Sequence, residues 1–306
     1  MNSASQIPPE EPWRTEYPFE SHWLDTPAGR VHYVDERPAD EQRGVLLFVH
    51  GNPTWSFHWR RLISALSPSH RCVAIDHLGC GLSDKPQKAH KLDERIADLG
   101  RLVDTLDLRN VTLVAQDWGG AIGLGAMLDR QERLDRVLLF NTGAWPPKSI
   151  PARIAACRTP GLGKLALQGG NVFSRAALTM TLSRRRGLDP GTVAGYLAPY
   201  NNWANRRAVY EFVADIPTKP TQRTWQTLAA IEDRLPQLAG KPTRLVWGMR
   251  DWCFAPKACL PRFQSCWPAA ETFELADVGH WVVEDAPDES LRLLGEFVSA
   301  DLPGAN

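Results

Sequence analysis

Residues 111–127 have the sequence VTLVAQDWGGAIGLGAM, which predicts a buried strand joined directly to a helix. Between them, Asp117 takes the central place of a small-x-acid-x-Gly turn, where a G-x-S-x-G nucleophile elbow carries serine. Such a turn is strained and crowded on both flanks, which explains the small residues Ala115, Gly119 and Gly120. An aspartate at the start of a helix stays ionised and can attack carbon. The same pattern also fits an ordinary strand and helix with an aspartate cap.

The composition is that of a globular protein without a strongly charged partner. The chain has 306 residues, 43% hydrophobic and 23% charged, which suits one α/β domain with an insertion or two domains. Its formal net charge of zero indicates no nucleic-acid partner. We find no apolar run of about 20 residues for a transmembrane helix and no apolar core of a signal peptide. The six cysteines form no C-x-x-C pair, which favours reduced thiols and a cytoplasmic protein.

Strands and helices alternate along most of the chain, which predicts a mostly parallel eight-stranded sheet with helices on both faces. The first two strands form a hairpin within residues 21–35, and the others lie at 44–50, 71–76, 111–115, 136–141, 243–248 and 271–275. Residues 146–220 contain only helical segments broken by Gly and Pro, which predicts an inserted helical cap. We expect a core of residues 17–145 and 221–302, and a loose N-terminal arm of residues 1–16.

Three ionisable residues follow predicted strands at the carboxyl edge of this sheet, where open α/β sheets place their sites. They are Asp117, Asp251 and His280, in the chain order nucleophile, acid, histidine of a hydrolase triad. His280 would take a proton from water, and Asp251 would orient its imidazole. Each alone fits an ordinary loop residue, but three in order favour a catalytic site. Three acids beside His280 are interpreted as surface charges: Asp277, Glu284 and Asp285.

A second motif, His50-Gly51-Asn52-Pro53, follows the strand expected to lie beside the elbow strand. We expect a backbone N–H of this motif and that of Trp118 to form an oxyanion hole. The side chains of Asn52 and Trp118 add two neutral donors beside the nucleophile, which suits a departing anion. A turn asparagine before proline and a core tryptophan are the alternative interpretations.

Five stretches together resemble the haloalkane dehalogenase branch of the α/β-hydrolases. They are HGNPTWSFHWR, DHLGCGLSDKP, AQDWGGAIG, WGMRDWCF and GHWVVED. The resemblance implies an α/β-hydrolase fold in which Asp117 attacks carbon and forms an alkyl-enzyme ester. It also implies that Asn52 and Trp118 hold the leaving halide and that His280 activates water.

Within that branch, three of the motifs are most similar to a subgroup that includes the β-lactone decarboxylases of bacterial long-chain olefin biosynthesis. Its acid follows the seventh strand, here at Asp251, because Asn141 or Thr142 occupies the place after the sixth strand. This resemblance implies conversion of cis-3,4-dialkyl β-lactones to cis-olefins and carbon dioxide. It further implies a hydrophobic substrate with long alkyl chains and assembly with other enzymes of the pathway. The sequence contains no metal cluster or cofactor fingerprint, and the implied chemistry needs neither, so we expect no cofactor and no metal.

Three alternatives to a decarboxylase remain open from the sequence. A haloalkane dehalogenase would use the same residues to hydrolyse carbon–halogen bonds. An epoxide hydrolase would need two cap tyrosines, for which Tyr196, Tyr200 and Tyr210 are available, but its family carries a large apolar residue where Asn52 stands. A binding module would have no use for an intact triad. The candidates for the pocket lining are Trp145, Phe173 and Trp203.

Overall fold

A computed structural model of the chain, described for residues 11–38, 44–159 and 161–300, contains one eight-stranded sheet. The strands are β1 (His22–Thr26), β2 (Gly29–Glu36), β3 (Val45–Val49), β4 (Arg71–Ile75), β5 (Val111–Asp117), β6 (Leu134–Thr142), β7 (Thr243–Gly248) and β8 (Glu271–Leu275). Their order is β1-β2-β4-β3-β5-β6-β7-β8. Strand β2 pairs antiparallel with β1 and β4, and the other pairs are parallel. The predicted mostly parallel sheet is therefore confirmed, and β3 lies beside the elbow strand β5 as expected.

Helices cover both faces of this sheet. They are α1 (Arg60–Leu66), α2 (Leu92–Thr105), α3 (Trp118–Leu128), α4 (Ala152–Cys157), α5 (Leu162–Lys164), α6 (Val172–Met180), α7 (Pro190–Leu197), α8 (Arg207–Asp215), α9 (Arg223–Arg234), α10 (Pro256–Cys266), α11 (Val282–Asp285) and α12 (Pro287–Ser299). Because side chains alternate along a strand, Leu47 packs in one core cluster with Leu124 of α3, while Phe48 packs in the other with Leu294 of α12. No helix among the described residues is long and apolar enough to cross a bilayer.

The chain between β6 and β7 forms helices that stand over the carboxyl edge of the sheet. Helices α4 to α8 fall within residues 146–220, which we call the cap, and the described part of this range contains no strand. A π-helix at Leu165–Gly169 and a 3-10 helix at Ala198–Tyr200 complete it. Helix α9 then returns to the core, where Leu228 packs with the residues of α3.

The N-terminal segment departs from its prediction. Residues Pro12–Glu16 form a 3-10 helix whose Trp13 is fully buried, edge-on against Trp55 at a ring distance of 5.4 Å. Glu16 accepts a hydrogen bond of 2.9 Å from Nε of Arg60. The prediction of a loose arm is therefore wrong for residues 11–16, because the apolar surface of one tryptophan outweighs a Pro- and Glu-rich composition. Residues 1–10 lie outside the described part of the chain.

Candidate active site

The elbow has the strained backbone that its sequence predicts. Asp117 ends β5 with φ 54° and ψ −132°, a conformation that L-residues rarely adopt. A Cβ on Gly119 would overlap the backbone carbonyl of Val49, and one on Gly120 would overlap the side chain of Thr142. Both glycines are therefore required by close packing, and helix α3 begins directly behind the carboxylate.

The structure brings Asp117, Asp251 and His280 together in one buried cluster. Nδ1 of His280 lies 2.8 Å from Oδ2 of Asp251. Nε2 of the same ring lies 3.4 Å from Oδ2 of Asp117. The imidazole thus stands between two carboxylates, in the arrangement of a nucleophile, a histidine and an orienting acid.

The electrostatics of this cluster favour a protonated histidine. Burial disfavours the imidazolium, but the charge of Asp251 and hydrogen bonds to Asp117 and Asp251 raise the pKa of His280 to about 10. Burial likewise disfavours the Asp251 carboxylate, yet His280 and Asn141 hold the pKa of Asp251 below its ordinary value. At neutral pH, His280 is therefore a cation that neutralises part of the charge of two buried acids.

Asn141 contacts the predicted acid, a contact that the sequence analysis did not predict. Its Nδ2 donates to Oδ2 of Asp251 at 2.7 Å and to the carbonyl of Gly248 at 3.0 Å. The other carboxylate oxygen of Asp251 accepts from the backbone N–H groups of Cys253 at 2.6 Å and Phe254 at 3.1 Å. Asp251 is fixed on every side. The signal in the sequence was the position of Asn141 after the sixth strand, where the resemblance places the acid of another subgroup.

The predicted leaving-group donors lie beside Asp117, the predicted nucleophile, but the backbone N–H of Asn52 has a partner that was not expected. The N–H of Asn52 donates to Oδ1 of Asp117 at 2.8 Å. The expected oxyanion-hole donor is therefore engaged by the carboxylate of Asp117 itself. Nδ2 of Asn52 donates to the carbonyl of Val209 at 3.1 Å and keeps a second N–H. The indole N–H of Trp118 has no hydrogen-bond acceptor among the described residues.

A cavity of about 840 Å³ opens above the cluster and is lined mainly by apolar side chains from the core and the cap. Asp117, Trp118 and His280 line it together with Asn52. Its volume lies in the upper part of the roughly 300–1,000 Å³ of small-molecule sites. Trp145 and Phe173 line the cavity as expected, whereas the expectation for Trp203 is wrong because that side chain is 45% exposed outside it.

The three cap tyrosines do not reach the cavity. Oη of Tyr196 lies 2.7 Å from both Oε1 of Glu284 and Nδ1 of His58, in the core. The hydroxyl of Tyr200 donates to the carbonyl of Thr54 at 3.2 Å, and Tyr210 packs against a small apolar cluster of the cap. No tyrosine lines the described part of the cavity. Among the described residues, the cavity thus lacks the tyrosine donors that an epoxide hydrolase would place there.

Two of the acids beside His280 are buried, contrary to their interpretation as surface charges. Glu284 is 1% exposed and forms an ion pair with Arg60, which is equally buried. Buried carboxylates need such partners, and Arg60 is far from Glu284 in sequence. Asp277 matches its interpretation, because it is exposed and pairs with Arg184 at 2.9 Å.

Asp285 ties the cap to the loop that carries the histidine. Its Oδ2 accepts from the backbone N–H of Gly279 at 2.7 Å and from that of Ser183 at 2.8 Å. Its Oδ1 accepts from the N–H of Arg185 at 2.7 Å. Backbone donors therefore compensate the burial of this charge.

A buried chain of polar groups leads from the cap to the histidine. Gln116, next to Asp117 in sequence, donates to the carbonyl of His280, and its Oε1 lies 2.5 Å from Nε2 of His58. Burial lowers the pKa of His58 to about 4. Because His58 also contacts Tyr196, the position of the His280 loop is linked to helix α7 of the cap.

Comparisons with known proteins agree with this geometry. The profile of the alpha/beta hydrolase fold matches residues 44–287. The chain is 39% identical to a cis-3-alkyl-4-alkyloxetan-2-one decarboxylase of Shewanella oneidensis, covering 92% of this chain and 89% of the relative. It is 38% identical to a decarboxylase of the same name from Xanthomonas campestris, and the match covers 92% of this chain and 97% of that relative. A crystal structure of a haloalkane dehalogenase from Agrobacterium tumefaciens superposes with a TM-score of 0.80 at 25% identity. The superposition covers 92% of this chain and 96% of the dehalogenase.

Proposed function

As the chain belongs to the α/β-hydrolase fold family, we propose that it is a β-lactone decarboxylase. It converts cis-3-alkyl-4-alkyloxetan-2-ones into cis-olefins and carbon dioxide in long-chain olefin biosynthesis. The observation that carries this proposal is the wide apolar cavity that leads to the side-chain carboxyl group of Asp117. The names of the two relatives above support the same reaction.

In the first step, an oxygen of Asp117 attacks the ring carbon that bears the ring oxygen. A carbon–oxygen bond to Asp117 forms, the bond to the ring oxygen breaks, and that oxygen leaves with its electron pair as a carboxylate. The indole N–H of Trp118 and the free N–H of the Asn52 amide donate hydrogen bonds to this anion. Attack inverts the configuration of the carbon.

In the second step, the bond between the neighbouring carbon and the new carboxylate breaks and releases carbon dioxide. Its electron pair forms the double bond while Asp117 departs as a carboxylate. Inversion followed by anti elimination yields the cis alkene from the cis lactone. The reaction consumes no water, and it draws only on side chains of the chain itself.

His280 serves charge balance in this scheme. A cation at neutral pH cannot take a proton from water, whereas it does stabilise two carboxylates and the anion that forms beside them. Asp251 and Asn141 hold its ring in place. Attack of Asp117 on the lactone carbonyl is a less supported path, because the Asn52 N–H that would hold the oxyanion is bonded to Asp117.

Haloalkane dehalogenation is the second candidate function, favoured by the same donors at Asn52 and Trp118 and by the structural relative at 25% identity. Hydrolysis of the resulting ester would need neutral His280. Esterification of Asp117 would remove one of the two charges that raise the pKa of His280, which favours the neutral imidazole that this path needs. Halide release from a haloalkane tests this path in the same protein.

Three coarser proposals accompany the reaction. The division into a core of residues 17–145 and 221–302 and a cap of residues 146–220 follows the chain order of the elements. A cytoplasmic location is supported by six cysteines that are all free thiols. Assembly with other enzymes of the pathway is supported by the chemistry of the substrate, which is apolar and reactive and is best passed directly between enzymes.

A paired assay tests the function. The protein is incubated with a cis-3,4-dialkyl β-lactone and, separately, with a long-chain 1-haloalkane, with Asp117→Ala as the control. Fast olefin formation by gas chromatography with little halide release supports the decarboxylase. Fast halide release with an unreacted lactone would show that the protein is a haloalkane dehalogenase instead. An active Asp117→Ala protein would remove Asp117 from the mechanism.

A further inference from the structure

The first half of the cap, residues 146–180, carries positive charge that nothing in the described structure neutralises. Its cations are Lys148, Arg153, Arg158, Lys164 and Arg175, and it contains no aspartate or glutamate, although the formal net charge of the chain is zero. None of the five forms an ion pair within the described residues. Elsewhere, surface arginines such as Arg130 and Arg184 pair with carboxylates. We call residues 146–180 the basic segment.

Exposed apolar side chains collect in the same segment. Of six large hydrophobic residues that are exposed in the described structure, four lie there: Leu162, Leu165, Val172 and Met180. A fifth, Trp203, lies beside Leu165, since a methyl group on Gly169 would stand 3.4 Å from both side chains. Leu162 and Leu165 are 69% and 59% exposed. Single exposed apolar residues are ordinary, but a group of them marks an interaction site.

This surface borders the opening of the active-site cavity. Val172 and Met180 are 50% and 38% exposed, and both also line the cavity. Lys148, just before α4, and Arg153, in its first turn, line the cavity as well. A ligand that contacts the basic segment is therefore at the entrance through which a substrate reaches Asp117.

We propose that the basic segment docks on an anionic phospholipid bilayer, with the cavity opening turned towards the lipid. Lysine and arginine side chains are attracted to anionic headgroups, while exposed leucine and tryptophan side chains enter the interfacial region. The helices of the segment are short, so they lie on the membrane rather than across it.

The positive charge of the basic segment favours an anionic bilayer over a second copy of the chain as its binding partner. A symmetric dimer through the basic segment would bring two sets of five unpaired cations together, which is repulsive. A bilayer supplies negative charge and an apolar layer at the same surface. If the proposed function holds, the bilayer is also where a dialkyl substrate collects, but the binding itself does not depend on any reaction.

Vesicle binding without substrate tests the proposal on the full chain. The protein is centrifuged with vesicles of phosphatidylcholine alone, or of phosphatidylcholine with phosphatidylglycerol. We expect binding to the anionic vesicles, weakened by salt, and little binding to the neutral ones. The variant Lys164→Glu/Arg175→Glu reduces the partition coefficient by more than about tenfold. The matched control Lys88→Glu/Arg101→Glu, with the same charge change on exposed residues outside the cap, retains binding.

A second pair of variants tests the apolar contribution. Leu162→Ser/Leu165→Ser is expected to lose the binding that persists at high salt, whereas Trp23→Ser, which removes a 45% exposed side chain of β1, retains it. Thermal unfolding verifies that each variant is folded.

The proposal is overturned by equal binding of the protein to both vesicle types, by no binding to either, or by unchanged vesicle binding of the Lys164→Glu/Arg175→Glu protein. It is also overturned if that variant disrupts self-association or a protein complex while vesicles never bind the wild type. Olefin formation in detergent is measured separately, so a failed reaction and a failed membrane contact are distinguished.

Discussion

Nδ2 of Asn141 lies 2.7 Å from Oδ2 of Asp251, the same oxygen that contacts Nδ1 of His280 at 2.8 Å. Asn141 is itself fixed, because the N–H of Gly248 donates to its Oδ1 at 2.7 Å. The amide does not line the cavity, so in the proposed mechanism it acts through Asp251 as a positioning residue. The orientation of the imidazole therefore depends on the end of β6 as well as on the loop after β7.

Asn141→Ala should lower both stability and turnover. Three buried hydrogen bonds are lost, and we expect a decrease of about 2–3 kcal/mol in the free energy of unfolding. The kcat should fall about tenfold with little change in KM, because the substrate does not contact the amide. Denaturant unfolding and steady-state kinetics measure the two effects. Asn205→Ala, which removes another buried amide but lies in the cap, should reduce stability alone; a normal kcat in Asn141→Ala contradicts the positioning role.

The pH dependence of stability should report the ion pairing of His280. The folded pKa is about 10 and the ordinary value 6.5, so the stabilisation is complete below about 6.5. As the pH rises through this interval, the unfolded chain releases its proton first, and the stabilisation is lost towards pH 10. The difference in unfolding free energy between wild type and His280→Gln should shrink by an amount on the order of a few kcal/mol over that range. A difference that grows with pH would show that His280 is neutral in the folded protein.

Tyr196→Phe should affect folding but not chemistry. The phenol contacts Glu284 and His58 away from the cavity, so its loss should cost about 1–3 kcal/mol of stability. Turnover of the lactone should stay within about threefold of wild type at a temperature where both are folded. Tyr210→Phe is the matched control, with no expected effect on either quantity. Loss of the chemical step in a folded Tyr196→Phe protein would contradict this expectation and would mean that the phenol reaches the substrate or positions the His280 loop through His58 and Gln116.

The pair of Arg60 and Glu284 should be sensitive to the loss of one partner. Arg60→Met leaves a buried carboxylate without its cation and should cost about 3–5 kcal/mol in unfolding free energy. Adding Glu284→Leu removes that charge and should recover part of the loss. The exposed pair of Arg292 and Glu296, at 2.9 Å, is the comparison: Arg292→Met should cost less than about 1 kcal/mol. Equal costs at the two sites would contradict the burial of Glu284.

The order of strands and helices could be predicted because the local pattern decides it. The apolar run of β5 and the glycines after Asp117 predict the elbow, since only small residues fit against Val49 and Thr142. Likewise, Asp251 and His280 stand just past strands, so the edge of a parallel sheet brings them together whatever the details of the loops.

Other features could not be predicted because they depend on contacts between distant parts of the chain. Glu284 looks like a surface charge until Arg60, on another helix, is placed beside it. Trp13 lies in a polar stretch, and its burial depends on Trp55. The hydrogen bond from the Asn52 N–H to Asp117 depends on the length and the two oxygens of a carboxylate. The sequence pattern of a serine elbow does not predict this bond.

The most direct test of the proposed chemistry is repeated turnover of a cis-3,4-dialkyl β-lactone in heavy-oxygen water, followed by mass spectrometry of the peptide that contains Asp117. Decarboxylation returns Asp117 with its own oxygens, so we predict one cis-olefin for each lactone consumed and an unlabelled Asp117. A hydroxy acid product with heavy oxygen in the Asp117 carboxylate would show that water cleaves an ester intermediate. That result would contradict the decarboxylase and make the protein a hydrolase.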